Sequence, residues 1–142
     1  MIVLYYILIP IIAAIIINCI IYSLKLYKTS IKYLPAGYII GIIWTVILGL
    51  LGYSNYLLYN LDKVINFGNV GIVLLILFCL AYPVISGLKE EAIPLLNLIS
   101  LILAFTVALI VIFYSKYIFL YLIPILIWIS YVNIIYVLQN KI

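Results

Sequence analysis

Residues 92–115 decide the fold, because they read AIPLLNLISLILAFTVALIVIFYS without one charged side chain. A helix of about 20 apolar residues spans the hydrocarbon core of a bilayer. The whole chain of 142 residues has this character, with 71% hydrophobic residues, 7% charged residues and a mean hydropathy of +1.50. A soluble domain carries roughly 25% charged residues. The composition therefore excludes a soluble globular domain, a disordered chain and a disulfide-rich secreted domain.

The charged residues separate five charge-free stretches, each long enough to cross a membrane. A charge at the centre of a membrane helix costs roughly 2.5–3.5 kcal/mol, so the charges mark the connections. We predict an all-α membrane protein: a five-transmembrane-helix bundle in a single transmembrane domain over residues 1–142, with helices near 2–23, 35–57, 67–87, 92–113 and 117–138. The first stretch lacks a basic n-region and is too long for a signal peptide, which favours an uncleaved helix.

The lysines predict the orientation of the bundle. Lys63 and Lys116 fall on the side of the N-terminus, and the other five fall on the opposite side. Because cytoplasmic loops carry the excess of Lys, we expect the N-terminus outside and the C-terminus in the cytoplasm. The three-lysine first loop, about residues 24–35, would then lie against anionic lipid. A bacterial plasma membrane and a mitochondrial outer membrane suit the chain equally, since no targeting signal decides.

The residue types also limit the chemistry. Arg and His are absent, which excludes an imidazole base, a Ser-His-Asp triad and a His-ligated metal or haem. We expect no metal and no other cofactor. No predicted helix has an ionisable residue near its centre, which argues against ion-coupled transport. Seven scattered lysines form no nucleic-acid surface, and Cys19 and Cys79, which form no CxxC motif, are interpreted as small apolar residues within the bilayer.

Two tryptophans lie in the middle of predicted helices, Trp44 in the second and Trp128 in the fifth. Interfacial tryptophans lie near helix ends instead. Two roles are open for these tryptophans: they pack within the bundle, or they line a cavity and stack on a flat apolar ligand. Pro83 and Pro124 would kink helices three and five, and Pro35 would open helix two.

Small and mildly polar residues predict helix packing. Gly37, Gly41, Thr45 and Gly49 share one face of helix two, which favours close packing within the bundle or, less strongly, a dimer seam. Interhelical hydrogen bonds are the expected role of the polar residues inside the helices, namely Asn18, Thr45, Asn97, Ser100, Thr106, Ser130 and Asn133. Near the C-terminus, Val132, Tyr136 and Lys141 fit a V-x-Y-x-K pattern proposed for sterol contact.

Three segments have a familiar form. Residues 35–53 read PAGYIIGIIWTVILGLLGY, residues 82–89 read YPVISGLK, and residues 123–133 read IPILIWISYVN. They resemble the patterns P-P-x-W-x-F-x-x-V-W-T-x-L-Y-x-x-M-G, W-T-P-x-F-F-G-x-K and P-Y-L-x-W-x-x-Y-A-x-x-L-N of the translocator protein / tryptophan-rich sensory protein family (TspO/MBR). The spacing within each segment holds without gaps.

The chain would be a divergent member of that family. Of the family's many tryptophans only Trp44 and Trp128 remain. At five further positions this chain has a different residue from the family pattern, and two of these differences replace a Trp and an Asn shortly before Pro83. The residues found here are Tyr38, Ile40, Leu48, Phe78 and Ala81. Because of these replacements, the ligand and any catalytic activity of this chain could differ from those of its relatives.

The resemblance implies a five-helix bundle, often a homodimer, with a pocket among the helices under the first loop. Relatives bind tetrapyrroles, sterols and synthetic apolar ligands, and some bacterial members are linked to porphyrin breakdown. Trp44 and Trp128 match pocket tryptophans. The remaining ligand-binding positions implied by the resemblance are Pro35, Tyr38, Gly41, Leu48, Phe78, Ala81, Pro83, Pro124 and Tyr131.

Three hypotheses follow. The first is a membrane protein that binds a porphyrin-like or sterol-like hydrophobic molecule, for transport or sensing. The second is a structural or interaction bundle that keeps the scaffold without ligand binding, and it predicts that Phe78 and Leu48 fill the space between Trp44 and Trp128. The third and weakest is an enzyme that degrades porphyrin with the tryptophans as redox participants. We expect a non-enzymatic protein whose partners are a hydrophobic small molecule, membrane lipid and a second copy of the chain.

Overall fold

The structure, a computed structural model, describes residues 2–24 and 37–140. In these ranges the chain forms six α-helices: α1 (Ile2–Ser23), α2 (Gly37–Asp62), α3 (Phe67–Leu88), α4 (Ile93–Tyr114), α5 (Lys116–Phe119) and α6 (Ile123–Asn140). Two 3₁₀ turns, Glu90–Ala92 and Leu120–Leu122, precede α4 and α6, and the described ranges contain no strand. Five helical segments are long and apolar enough to cross a membrane, with α5 and α6 together forming the fifth. The prediction of a five-helix membrane protein is confirmed, while the orientation of its termini stays a prediction.

The second helix is longer than its sequence pattern predicts. It runs to Asp62 rather than residue 57 and has 26 residues, or about 39 Å at the helical rise of 1.5 Å per residue. The hydrocarbon core of a bilayer is about 30 Å thick. The residues with hydroxyl and amide side chains at the end of α2 can therefore continue the helix outside the hydrocarbon core. The connection from α2 to α3 is short as a result.

The fifth span is broken rather than continuous. The 3₁₀ turn Leu120–Leu122 interrupts it, and Pro124 is the second residue of α6. Pro124 has no N–H to donate to the carbonyl of Leu120, four residues earlier, so a regular α-helix cannot continue there. Pro83, in contrast, lies inside an α3 that continues to Leu88.

The core of the bundle lies between α2, α3, α4 and the fifth span. Its most completely buried side chains are Leu51, Leu58, Ile72, Leu75, Val107, Val111, Leu122 and Ile125. Helix α1 is peripheral, because only 11% of its span is buried, against 39% for the fourth span. It packs chiefly against α2. A methyl group at Gly52 would lie 2.0 Å from the carbonyl oxygen of Tyr6, so this glycine is required by the close approach of the two helices.

Three asparagines close the end of the bundle where α2 leads into α3. Asn66 caps α3, accepting from the N–H of Asn69 at 3.0 Å, while the side chain of Asn69 accepts from the N–H of Asn66 at 3.1 Å. Asn69 Nδ2 also donates to the carbonyl oxygen and to Oδ1 of Asn55 on α2, at 2.8 and 2.6 Å. Asn66 Nδ2 donates to the carbonyl oxygen of Leu58 at 3.1 Å. We call Asn55, Asn66 and Asn69 the asparagine clamp, because it joins α2 to α3.

Candidate functional site

A cavity lies at the other end of the bundle, where α2 and α4 begin and α3 and α6 end. Its volume is about 170 Å³. All four of these helices contribute to its wall, which consists of Ile40, Trp44, Phe78, Cys79, Tyr82, Ser86, Ile93, Asn97, Ser100, Trp128, Ile129, Val132, Asn133 and Tyr136. Drug-sized ligands occupy sites of about 300–1,000 Å³. The cavity therefore suits a small ring system or one part of a larger ligand.

Aromatic rings dominate the cavity wall. Trp44 comes from α2 and Trp128 from α6, and Phe78, Tyr82 and Tyr136 complete the aromatic set. The ring of Trp128 packs against that of Tyr131, with ring centroids 5.9 Å apart and an interplanar angle of 33°. The faces of aromatic rings bind flat apolar molecules by offset stacking. The side chains of the described wall include no carboxylate and no amine, which leaves an uncharged surface.

Asn97 on α4 is the centre of a polar group on this wall. Its Oδ1 accepts a hydrogen bond from the hydroxyl of Tyr82. Its carbonyl oxygen accepts from Ser100 Oγ at 2.8 Å and from Asn133 Nδ2 at 3.2 Å. Asn133 Nδ2 also donates to the carbonyl oxygen of Ile129 at 2.9 Å. The interhelical role expected for Asn97 and Asn133 is therefore present, and it ties α3, α4 and α6 together around the cavity.

Some of the predicted site residues line the cavity and others do not, depending on the face of the helix on which each residue lies. On α3, Phe78 lines the cavity together with Cys79, Tyr82 and Ser86, which recur at spacings of three and four residues. Ala81 and Pro83 do not line it, because their positions fall on other faces of the same helix.

On α2, Trp44 lines the cavity but Gly41 and Leu48 do not. Leu48 is 2% exposed and belongs to the hydrophobic core, one helical turn beyond Trp44. A methyl group at Gly41 would meet no heavy atom of the described residues within 4 Å. The packing expected along the small-residue face is found instead near Gly49, whose added methyl would lie 3.4 Å from Ile11 on α1.

On the fifth span, Trp128 lines the cavity, whereas Pro124 and Tyr131 do not. Pro124 lies one turn closer to the opposite end of the bundle, beside the 3₁₀ turn. Tyr131 contacts Trp128 from outside the wall and is 38% exposed. Val132 and Tyr136, from the proposed sterol-contact pattern, do line the cavity.

Three predicted positions lie outside what the structure describes. Pro35 and Lys141 fall outside the described residues, and of Tyr38 only the helical backbone is described. The ligand roles of these three residues and the opening of helix two by Pro35 stay predictions.

The contribution of α4 to the cavity was not predicted. Ile93, Asn97 and Ser100 line it at spacings of four and three residues. Two polar side chains at this spacing in an otherwise apolar helix were the available signal. Asn97 thus supplies an amide to the cavity from α4.

The open cavity counts against the hypothesis of a collapsed scaffold. That hypothesis expected Leu48 and Phe78 to fill the space between Trp44 and Trp128. Leu48 is in the core instead, and Phe78 is one wall of a cavity that both tryptophans line.

Comparison with known proteins agrees with the fold and the motifs. The model of the TspO/MBR family matches residues 6–138. No curated protein and no solved structure gives a significant match. The family match includes nearly the whole chain and all five membrane-spanning segments. The chain therefore belongs to the TspO/MBR family, as a multi-pass integral membrane protein.

Proposed function

We propose that the protein binds a flat hydrophobic molecule, porphyrin-like or sterol-like, in the cavity at the end of the helix bundle. The observation that carries this proposal is the open, uncharged cavity with Trp44 from α2 and Trp128 from α6 on its wall. An apolar cavity with a few polar groups is the usual form of a small-molecule site.

The volume of the cavity limits how much of a tetrapyrrole it would hold. At about 170 Å³ the cavity holds part of such a ring system, so the remainder would extend from the bundle. The sequence places Lys25, Lys28 and Lys32 in the connection between α1 and α2, and these ammonium groups would pair with the propionates of a porphyrin.

Binding rather than catalysis is the proposed role. The described cavity wall has no carboxylate, imidazole or amine that would transfer a proton to or from the ligand. Transport or sensing would follow from binding. A homodimer and a location in a bacterial plasma membrane or a mitochondrial outer membrane stay predictions.

Titration with protoporphyrin tests this function. Because the chain has two tryptophans, Trp44→Leu and Trp128→Leu each leave one, and binding is best followed by porphyrin fluorescence in nanodiscs. We expect each substitution to weaken binding about tenfold or more, since it removes a stacking surface. Phe113→Leu is the matched control, because Phe113 is 88% exposed and lies away from the cavity. Equal affinity in all four proteins would contradict the proposal.

A cavity-filling substitution tests the same function without removing a tryptophan. Ser100→Leu adds side-chain volume to the wall, and we expect it to abolish porphyrin binding while the bundle stays folded. Folding is measured by the midpoint of thermal unfolding, followed by the loss of helical circular dichroism. A folded Ser100→Leu protein that binds porphyrin like the wild type would show that the ligand lies elsewhere.

A further inference from the structure

The side-chain amide of Asn97 is incompletely hydrogen-bonded. Asn97 is 3% exposed and lies on the cavity wall. Its Oδ1 accepts from Tyr82, but no acceptor among the described residues lies within hydrogen-bond reach of its Nδ2. Native structures leave few buried N–H groups without an acceptor, because such a group loses its hydrogen bonds to water on burial.

The polar neighbours of Asn97 donate their hydrogen bonds to backbone carbonyl oxygens. Ser100 Oγ and Asn133 Nδ2 both donate to the carbonyl oxygen of Asn97. Ser86 Oγ, also on the wall, donates to the carbonyl oxygen of Pro83 at 3.1 Å. These donors are thus directed to backbone carbonyls, and Nδ2, which belongs to a residue of the cavity wall, is left without an acceptor among the described residues.

The missing acceptor is uncharged. A carboxylate in the cavity would lie among described side chains that include no ammonium group, and an unpaired buried charge is strongly unfavourable. A carbonyl oxygen accepts from an amide N–H without adding charge. The aromatic walls require that this carbonyl belong to an otherwise apolar ring system.

We propose that the cavity ligand carries a neutral carbonyl group and that Asn97 Nδ2 donates a hydrogen bond to its oxygen. This inference rests on the proposed ligand-binding function and specifies the class of ligand. Among hydrophobic ring systems the site selects ketones or lactams over the hydrocarbons of the same shape. A ring ketone on a sterol skeleton and a lactam on a linear tetrapyrrole share this chemistry.

Fluorenone and fluorene test the inference, because they share one flat ring skeleton and differ by the carbonyl. Their partition is measured between nanodiscs that contain the full chain and empty nanodiscs of the same lipid. After correction for the lipid, we expect the protein to bind fluorenone about five- to tenfold more tightly than fluorene. Asn97→Leu, which has no donor, should reduce that preference to about one.

Thr106→Val serves as the control for Asn97→Leu. Thr106 lies on the same helix but not on the cavity wall, and its hydroxyl already donates to the carbonyl oxygen of Ile102. This variant should keep the preference for fluorenone. The carbonyl stretching band of bound fluorenone gives a second measurement on the wild type, and it should shift to lower wavenumber than in empty nanodiscs.

The outcomes separate the two proposals. Equal binding of fluorenone and fluorene by the wild type, an unchanged preference in folded Asn97→Leu, or an unshifted carbonyl band would overturn the assignment of Asn97 and leave the cavity as a ligand site. Binding of neither probe, together with protoporphyrin affinity that is insensitive to Trp44→Leu and Trp128→Leu, would overturn both proposals. If Asn97→Leu fails to fold, the carbonyl band of the wild type decides.

Discussion

Asn69 and Asn97 are both buried amides at an end of the bundle, yet their partners differ. In the asparagine clamp, Asn69 Nδ2 donates to two oxygen atoms of Asn55. At the cavity, Asn97 Nδ2 has no acceptor among the described residues. A fully bonded amide stabilises a unique packing, whereas an incompletely bonded one lowers stability and is retained where a ligand can complete it. We infer that one end of the bundle is built for folding and the other for binding.

Two glycines of α2 also have different surroundings at the two ends of the bundle. Gly52 lies against the backbone of Tyr6 on α1, on the side of the asparagine clamp. Gly41 lies one turn from Trp44, and a methyl group there would contact no described atom within 4 Å. At these two positions the helices therefore approach more closely on the side of the asparagine clamp than near the cavity.

The largest expected effect on stability comes from Gly52→Ala. The added methyl cannot coexist with the Tyr6 carbonyl at 2.0 Å, so α1 must move, and we expect the free energy of unfolding to fall by about 3 kcal/mol. Gly41→Ala is the matched control, and it should be neutral or slightly stabilising because Ala favours a helix over Gly. The midpoint of thermal unfolding, followed by helical circular dichroism, measures both. Equal shifts for the two variants would contradict the assigned difference between the ends.

Asn69→Leu should have the next largest effect. It removes the reciprocal hydrogen bond from the N–H of Asn66 and both hydrogen bonds to Asn55, and we expect a loss of about 2 kcal/mol. Asn97→Leu should lose about 1 kcal/mol, since the hydroxyl of Tyr82 loses its acceptor while the unpartnered N–H is removed as well. A greater loss for Asn97→Leu than for Asn69→Leu would show that the cavity amide is mainly structural.

The smallest effect is expected at Lys63, between α2 and α3. Its φ of 57° lies in the left-handed region, which is unfavourable for a residue with a Cβ and acceptable for glycine. We expect Lys63→Gly to raise the free energy of unfolding by up to about 1 kcal/mol. Its exposed hydrogen bond to Asn60 should contribute little. A lower midpoint of thermal unfolding in Lys63→Gly would show that the lysine stabilises this connection despite its backbone conformation.

The sequence predicts the bundle well because a bilayer imposes simple rules. The ten charges mark the connections, and the five spans lie between them. The longer α2 was not predicted, because hydroxyl and amide residues after position 53 resemble the start of a connection. The break at Leu120–Leu122 follows from Pro124, although the pattern alone predicts only a kink.

The cavity is less predictable than the fold. Trp44 and Trp128, which match the family motifs, and Phe78, which replaces a family residue, identify three of its walls. The contribution of α4 depends on which helices are neighbours, and nothing in the sequence of α4 alone specifies that. Leu48, Ala81 and Pro124 illustrate the converse, since a position within a family pattern still depends on the helical face and depth at which it falls.

The position of the cavity limits how a molecule could cross the membrane. Its aromatic residues Trp44, Phe78 and Trp128 lie about 10 to 18 Å from the ends of their helices on the cavity side, which are Gly37, Leu88 and Asn140. That depth is roughly half of a hydrocarbon core of about 30 Å. A bound molecule would therefore be held within one leaflet. Passage to the other leaflet along the bundle axis would require α2 and α3 to separate at the asparagine clamp, whereas exchange with the nearer leaflet would leave those hydrogen bonds intact.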